Sequence, residues 1–416
     1  MSQPETPKKQ LTAAQPATKA TLYLIGFQVL GMLIPILTLP ILARALGVEV
    51  FGQLMLAQSL VFLAVILLDA GFNTESQRFI ALADTNEQAN QILLDNLLAR
   101  SVFSIPVVAV LLLTPYFFPL VSYSLILFSL PLVLGTLLLP QWWLIALHKG
   151  RVLGIFLTLG RVLSAIAIVL LVGNSSDVIW AALASSSATF ISGLLLWIYL
   201  YKDLQLNFRA LNYQSWKSYF QVVKTTIFSG FFSSASASVP VLFLSHFSGT
   251  TATGLFSAAD RLTRAAAYVL SFIEQTLMTR IAKVLQSSPA QAQQETRKLL
   301  QVLCSVLTLG ALFNYFIAPW VVEFLYGSAF YDSVAILQIL GAWLALYGIR
   351  KAMLTFWWSA NGQLSVVAKF QWTEAGLIFV FSALGAYAAG AIGLSIALLG
   401  IEILLILLML LVKKRG

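Results

Sequence analysis

Apolar runs of about 20 residues return along the whole chain, separated by short polar links such as GVEV, GNSSD and SGTTAT. A helix of that length crosses roughly 30 Å of hydrocarbon. Lipid offers backbone N–H and C=O groups no partner, so a crossing segment is either a helix or part of a closed barrel. Barrel strands alternate apolar and polar residues over about 10 positions, and these runs do not alternate. The expected fold is therefore an all-α polytopic membrane protein. The composition agrees: 59% of the 416 residues are hydrophobic, 10% are charged, and the mean hydropathy is +0.88.

The runs predict twelve spans. Six lie near 20–43, 51–72, 92–114, 121–147, 152–172 and 178–201, and six near 220–245, 254–284, 299–318, 334–358, 365–387 and 390–411. The implied organisation is a polar segment over 1–19, a first half over 20–201 and a polar inter-lobe linker over 202–218. A second half over 219–412 and a basic tail over 413–416 follow. The polar start and the length of the first run predict a retained anchor rather than a cleaved leader.

Placing the amino terminus in the cytoplasm sorts the charges. Lys8, Lys9, Lys19, Lys149, Arg151, Lys202, Arg209, Lys217, Lys283, Arg297, Lys298, Lys413, Lys414 and Arg415 then fall on inner segments. Glu49, Asp177, Glu323 and Asp332 fall on outer links, with Arg44 as the lone base near them. This is the positive-inside pattern, and it puts both termini in the cytoplasm. Topology thus accounts for the net charge of +9, and no nucleic-acid partner is implied.

Enzyme chemistry finds no support. The single cysteine, Cys304, lies in an apolar run, and His148 and His246 are not spaced as a metal pair. No phosphate-binding glycine loop after a strand and no nucleophile elbow is present, so neither cofactor nor metal is expected.

The chain also repeats itself. FGQLMLAQSL opens a helix that ends in SQRFIA, and TGLFSAADRL opens one that ends in MTRIA. Gly52 and Gly254, Ala57 and Ala259, Leu60 and Leu262, and Arg78 and Arg280 all stand 202 positions apart. Trp142–Trp143 and Trp357–Trp358 occupy matching ends of the fourth and tenth spans. Six spans per half give both halves one orientation, a parallel repeat that suits two bundles rocking about a site between them.

LTLPILARALGVEVFG, LLDAGFNTESQRFIA, LPQWWLIALHKGR and TGLFSAADRLTRA resemble the matching elements of Wzx-type flippases. These form the polysaccharide branch of the multidrug/oligosaccharidyl-lipid/polysaccharide (MOP) exporter superfamily. The resemblance covers nearly all of the chain from residue 20 onward. It departs after the first tryptophan pair, where Leu144–Ile145 stands in place of a Gln-Gly motif. It implies a MATE-like fold and a multi-pass protein of the bacterial inner membrane. The implied substrate is an undecaprenyl-pyrophosphate-linked oligosaccharide, an O-antigen or similar unit, flipped to the periplasmic leaflet. A coupling cation (H+ or Na+), membrane lipids and polymerase or chain-length proteins of the same pathway are the implied partners.

Charges at membrane depth cost about 2.5–3.5 kcal/mol each and face protein or a wet cavity, so they are the candidate site residues. At 100° per residue Asp260, Arg264, Tyr268, Ser271 and Glu274 share one helical sector, with Arg261 at its edge. Asp260 and Arg264 can pair at i,i+4. The sector is expected to face the other half. The alternative is an interfacial position, since a helix this long rises about 45 Å. In the first half Gln58, Asp69 and Asn73 share a sector. Arg161 and Glu374 lie deep in the fifth and eleventh spans, and Arg350 and Lys351 lie in the inner half of the tenth. The expected substrate ligands are Arg161, Arg261, Arg264, Arg350, Lys351, Arg78 and Arg280, the last two also reading as inner-surface anchors. Asp69, Glu374, Asp260 and Glu274 are the ion-coupling candidates. Glu402 reads as a structural partner. Pro35, Pro40 and Pro240 mark kinks or hinges in the first and seventh spans.

A flippase for an anionic lipid wants cations in its cavity, and leads. A cation-coupled multidrug antiporter of the same superfamily wants an acid there, and the first span carries none between Thr21 and Ile41. A membrane polymerase or ligase wants large outer loops, which the short links do not supply.

Overall fold

The computed structural model describes residues 17–69, 71–83, 85–201, 217, 221 and 238–415. Some helical side chains in that range, that of Arg280 among them, lie outside the description. So do residues 1–16, the expected linker apart from Lys217, and most of the expected seventh span.

Among the described residues every regular element is helical. The first half holds α1 (Ala17–Asp69), α2 (Phe72–Ala81) and α3 (Asn86–Phe117). A broken passage follows in α4 (Tyr123–Ser129), α5 (Pro131–Leu138) and α6 (Gln141–Ala146), then α7 (Gly150–Leu171) and α8 (Val178–Leu200). The second half holds α9 (Val239–Ser287), α10 (Pro289–Tyr326), α11 (Ser333–Leu354) and α12 (Leu364–Arg415). A π turn over Thr355–Ser359 extends α11.

Eight stretches of the described residues are long and apolar enough to cross a membrane. Two of them, Leu33–Asp69 and Leu364–Lys413, contain non-helical breaks at Gly47 and at Ala389–Gly390. Each arm of α1 and α12 exceeds the roughly 20 residues of one crossing. With the two arms of α9, divided at Gly249, the arrangement is consistent with twelve.

Several local expectations change. The first and second spans are arms of one helix, as are the eleventh and twelfth, because one residue (Gly47) or two (Ala389 and Gly390) with non-helical φ/ψ turn the chain. The expected span over 121–147 is three short helices, interrupted where Pro131 and Pro140 withhold an N–H. Residues 413–415 continue α12 as helix. Pro35 and Pro40 lie inside the first arm of α1, which stays helical through both, and Pro240 sits in the first turn of α9.

The repeat is visible in the backbone. Gly47 (φ 72) and Gly249 (φ 80) adopt the same left-handed conformation at equivalent positions. Beyond each, the chains of the two halves meet. A Cβ added at Gly52 would strike the Thr250 carbonyl and lie 2.9 Å from the Gly254 nitrogen. One added at Gly254 would strike the Val48 carbonyl and lie 3.3 Å from the Gly52 nitrogen. This reciprocity is what a two-fold relation between parallel repeats produces. Around the glycines Phe51 packs edge-on against Phe330 at 5.8 Å, and Phe118 meets the His246 ring at 6.4 Å. Arg44 donates to the Phe324 carbonyl. Together these contacts seal one end of the interface between the halves.

Candidate functional site

The second arm of α9 leaves this seal along the second arm of α1. About 10 Å below Gly254 comes Arg261. Its Nη2 donates to Gln58 Oε1 of α1 at 3.2 Å, and its guanidinium stacks 5.8 Å from the Phe62 ring. Arg261 therefore bridges the halves. One turn on, Arg264 Nε donates to Asp260 Oδ2 at 2.7 Å, the expected i,i+4 pair. Its guanidinium also lies over Trp343 of α11 at 5.9 Å.

From Trp343 a second ladder runs down α11 beside α9. Trp343 stacks on Tyr347 at 5.0 Å, and Lys351 Nζ donates to Tyr347 Oη at 3.0 Å and to Ser271 Oγ at 3.3 Å. Spacing of four residues keeps Trp343, Tyr347 and Lys351 on one face. The result is a seam in which Arg261, Arg264 and Lys351 alternate with Phe62, Trp343 and Tyr347, with exposed Tyr268 alongside. The sequence sector named the charges. The aromatic rungs were hidden among the ten tryptophans and thirteen tyrosines of an apolar chain.

Arg350, adjacent to Lys351, takes the opposite environment. It is 2% exposed, and Nη2 meets Glu374 Oε1 at 2.6 Å while Nε bonds Glu402. Arg350 thus joins α11 to both arms of α12, and its guanidinium also lies 5.4 Å from the Tyr347 ring of the seam. Glu274, also 2% exposed, lies within electrostatic reach of Lys351 and Arg350, yet its Oε1 has no hydrogen-bond partner. In this inner cluster three carboxylates (Glu274, Glu374, Glu402) share two cations, Arg350 and Lys351.

Elsewhere the expected candidates separate. Asp69 is paired with Arg100 at 2.5 Å, and Arg100, 1% exposed, also donates to the Thr136 carbonyl at 3.0 Å. Arg100 was absent from the sequence candidates, although LLARSVFSIPVVAVLLL carries it as the one base in an apolar run. Arg161 lies against Gly31, between α7 and α1, and its Nη1 is buried without a hydrogen-bond partner. Arg78 is on the surface helix α2, paired with Glu75 at 3.0 Å with its side chain 62% exposed. The side chain of Arg280 lies outside the described residues. Among the described residues no group of three His, Cys, Asp or Glu is arranged to hold a metal.

Comparison with known proteins adds independent findings. Residues 17–285 match a family described as polysaccharide biosynthesis protein. A Shigella dysenteriae protein described as "Putative O-antigen transporter" is 24% identical over 390 residues, 91% of this chain and 95% of that one. An Escherichia coli K12 protein of the same description is 26% identical over 335 residues, 77% and 78% of the two chains. Among solved structures, an inward-facing multidrug-resistance MATE family transporter of the MOP superfamily superposes with a TM-score of 0.69 at 15% identity. That match covers 93% of this chain and 98% of the other. The lipid II flippase MurJ in an inward closed conformation gives 0.68 at 14% identity, over 95% and 87%. These two share the fold.

Proposed function

The chain belongs to the polysaccharide biosynthesis protein family, and from that premise we propose that it is a flippase, not an enzyme. It moves an undecaprenyl-pyrophosphate-linked oligosaccharide from the cytoplasmic to the periplasmic leaflet of a bacterial inner membrane. Both termini are cytoplasmic, and the sealed end around Gly52 and Gly254 faces the periplasm. The two halves, 20–201 and 219–412, rock about the seam. The observation that carries this reading is Arg261, which reaches across the interface of the halves to Gln58 and Phe62, with Arg264 and Lys351 continuing the cations among Trp343 and Tyr347 inside the second half. A diphosphate concentrates negative charge, which guanidinium groups bind bidentately and release from water more readily than ammonium does. Flat aromatic faces suit sugar rings. Arg261 makes no ion pair among the described residues, which favours the anionic lipid over a cationic drug at this point of the interface.

Passage requires weak, shared contacts. Arg264 already divides its charge between Asp260 and Trp343, and Arg261 holds only a neutral amide and a ring. Arg261→Ala therefore lowers export of lipid-linked sugar by about tenfold at equal protein level, in line with losing one charge-assisted contact. Arg261→Lys recovers part of the loss, because it keeps the charge without the fork. Export at the parental rate in Arg261→Ala contradicts the role.

Ion coupling belongs to the inner cluster. Asp69, Asp260 and Glu374 each hold an arginine, whereas Glu274 makes no ion pair among the described residues. A buried carboxylate that makes no direct ion pair is costly, so a proton or sodium ion completes it. Glu274→Gln removes the dependence of transport on an imposed ion gradient while downhill exchange persists. Unaltered gradient dependence in this variant rules Glu274 out.

A further inference from the structure

A cleft of about 1180 Å³ opens in the second half, away from the seam. The far end of α9, the first turns of α10, the π turn and the two outer ends of α12 enclose it. Among the described residues every one that lines it belongs to the second half, so the cleft stands apart from the contact between the halves. Its wall changes character with depth. Arg297 and Lys413 stand exposed at the mouth, and Ile281, Leu300 and Phe356 close the interior. Cys304 lines it about 10 Å further along α10 than Arg297. Lys413 Nζ lies 3.4 Å from the Trp357 ring centroid, and among the described residues neither Lys413 nor Arg297 has an ion-pair partner. The π turn, a widened helical turn of the kind found at functional positions, carries Phe356, Trp357 and Trp358 into the wall.

We infer that this cleft holds a resident anionic phospholipid, its phosphate between Arg297 and Lys413 and an acyl chain reaching toward Cys304. Paired bases between helices at a membrane face are the chemistry that retains anionic headgroups. Cations at the mouth that make no ion pair among the described residues, and an interior closed by Ile281, Leu300 and Phe356, match the two ends of such a lipid. The transported lipid is the poorer fit, because a substrate that crosses between the halves must be walled by both. Bound there, the phospholipid wedges α9, α10 and α12 together at one end and leaves the seam free.

Cys304 is the only cysteine of the chain and reports on the cleft directly. The full-length protein, placed in nanodiscs of phosphatidylcholine with graded phosphatidylglycerol, is alkylated with N-ethylmaleimide and the rate at Cys304 is followed. Phosphatidylglycerol slows the reaction, and high salt weakens that protection. Arg297→Ala and Lys413→Ala each raise the phosphatidylglycerol content needed for half protection by about fivefold. Lys298→Ala, a neighbouring exposed base that does not line the cleft, leaves it unchanged. The inference is overturned if alkylation is equally fast with and without phosphatidylglycerol, or if Lys298→Ala shifts protection as much as the mouth variants. It is also overturned if only added polyprenyl diphosphate protects, which reassigns the cleft to the tail of the transported lipid.

Discussion

Gly52→Ala and Gly254→Ala each lower transport by about tenfold or more and spread the sealed end of the molecule, because this contact sets the balance between conformations. Local propensity points the other way: alanine in a helix is worth about 0.5–1 kcal/mol over glycine. Tertiary contact decides the sign. At each position the new methyl meets partner backbone, the Thr250 or Val48 carbonyl, which has no rotamer to yield. Overpacking of this kind costs about 1–3 kcal/mol. The cost falls only on the conformation in which the halves touch here, so the protein folds and inserts while its cycle is biased away from the sealed state. Spin labels at Glu49 and Thr251, exposed positions related by the repeat, measure the opening once Cys304 is replaced by serine. A lengthened distance with reduced transport is expected in both variants. An unchanged distance with full transport contradicts the reading of this contact as the seal.

Arg350→Met is expected to be the most destabilising single change in the second half. It leaves buried Glu402 and half-buried Glu374 without their cation, and breaking a buried ion pair costs about 3–5 kcal/mol. Arg350→Lys recovers little, since a point charge on a flexible stem does not serve two carboxylates on separate arms of α12 as a fork does. Removing the charges along with the base reverses most of the loss, so Arg350→Met combined with Glu374→Gln and Glu402→Gln regains a melting temperature near the parental one. The measurement is thermal unfolding in detergent. A single variant as stable as the parent shows that the trio is not a buried electrostatic unit. Adjacent helical positions are 100° apart, so Arg350 reaches the carboxylates of α12 and Lys351 reaches Ser271 of α9, while both lie near the Tyr347 ring.

The sequence was legible wherever the signal was periodic or local. Long apolar runs specified helices, and the repeat of 202 positions led to the glycine contact. Four-residue spacing specified the Asp260–Arg264 pair, and the sector of Gln58 on α1 faces that of Arg261. What stayed hidden was non-local. Asp69 and Arg100 are 31 positions apart, and Arg350 and Glu402 are 52 apart, so no spacing rule joins them. Trp343 and Tyr347 carry no charge to distinguish them from core aromatics. Helix breaks at Gly47, Gly249 and Gly390 were read as ends of spans, because a polar link and a left-handed glycine look alike in sequence.

The central claim is that an anionic lipid-linked saccharide crosses along the seam of Arg261, Arg264 and Lys351. The direct measurement uses purified protein in liposomes and follows undecaprenyl-pyrophosphate-linked oligosaccharide from one leaflet to the other, by its accessibility to a glycosidase outside. Saturable translocation by the parental protein, lost in Arg261→Ala/Arg264→Ala at equal incorporation, is the expected result. Translocation by the double variant at the parental rate, or parental liposomes that carry an organic cation and leave the saccharide lipid where it began, would contradict it.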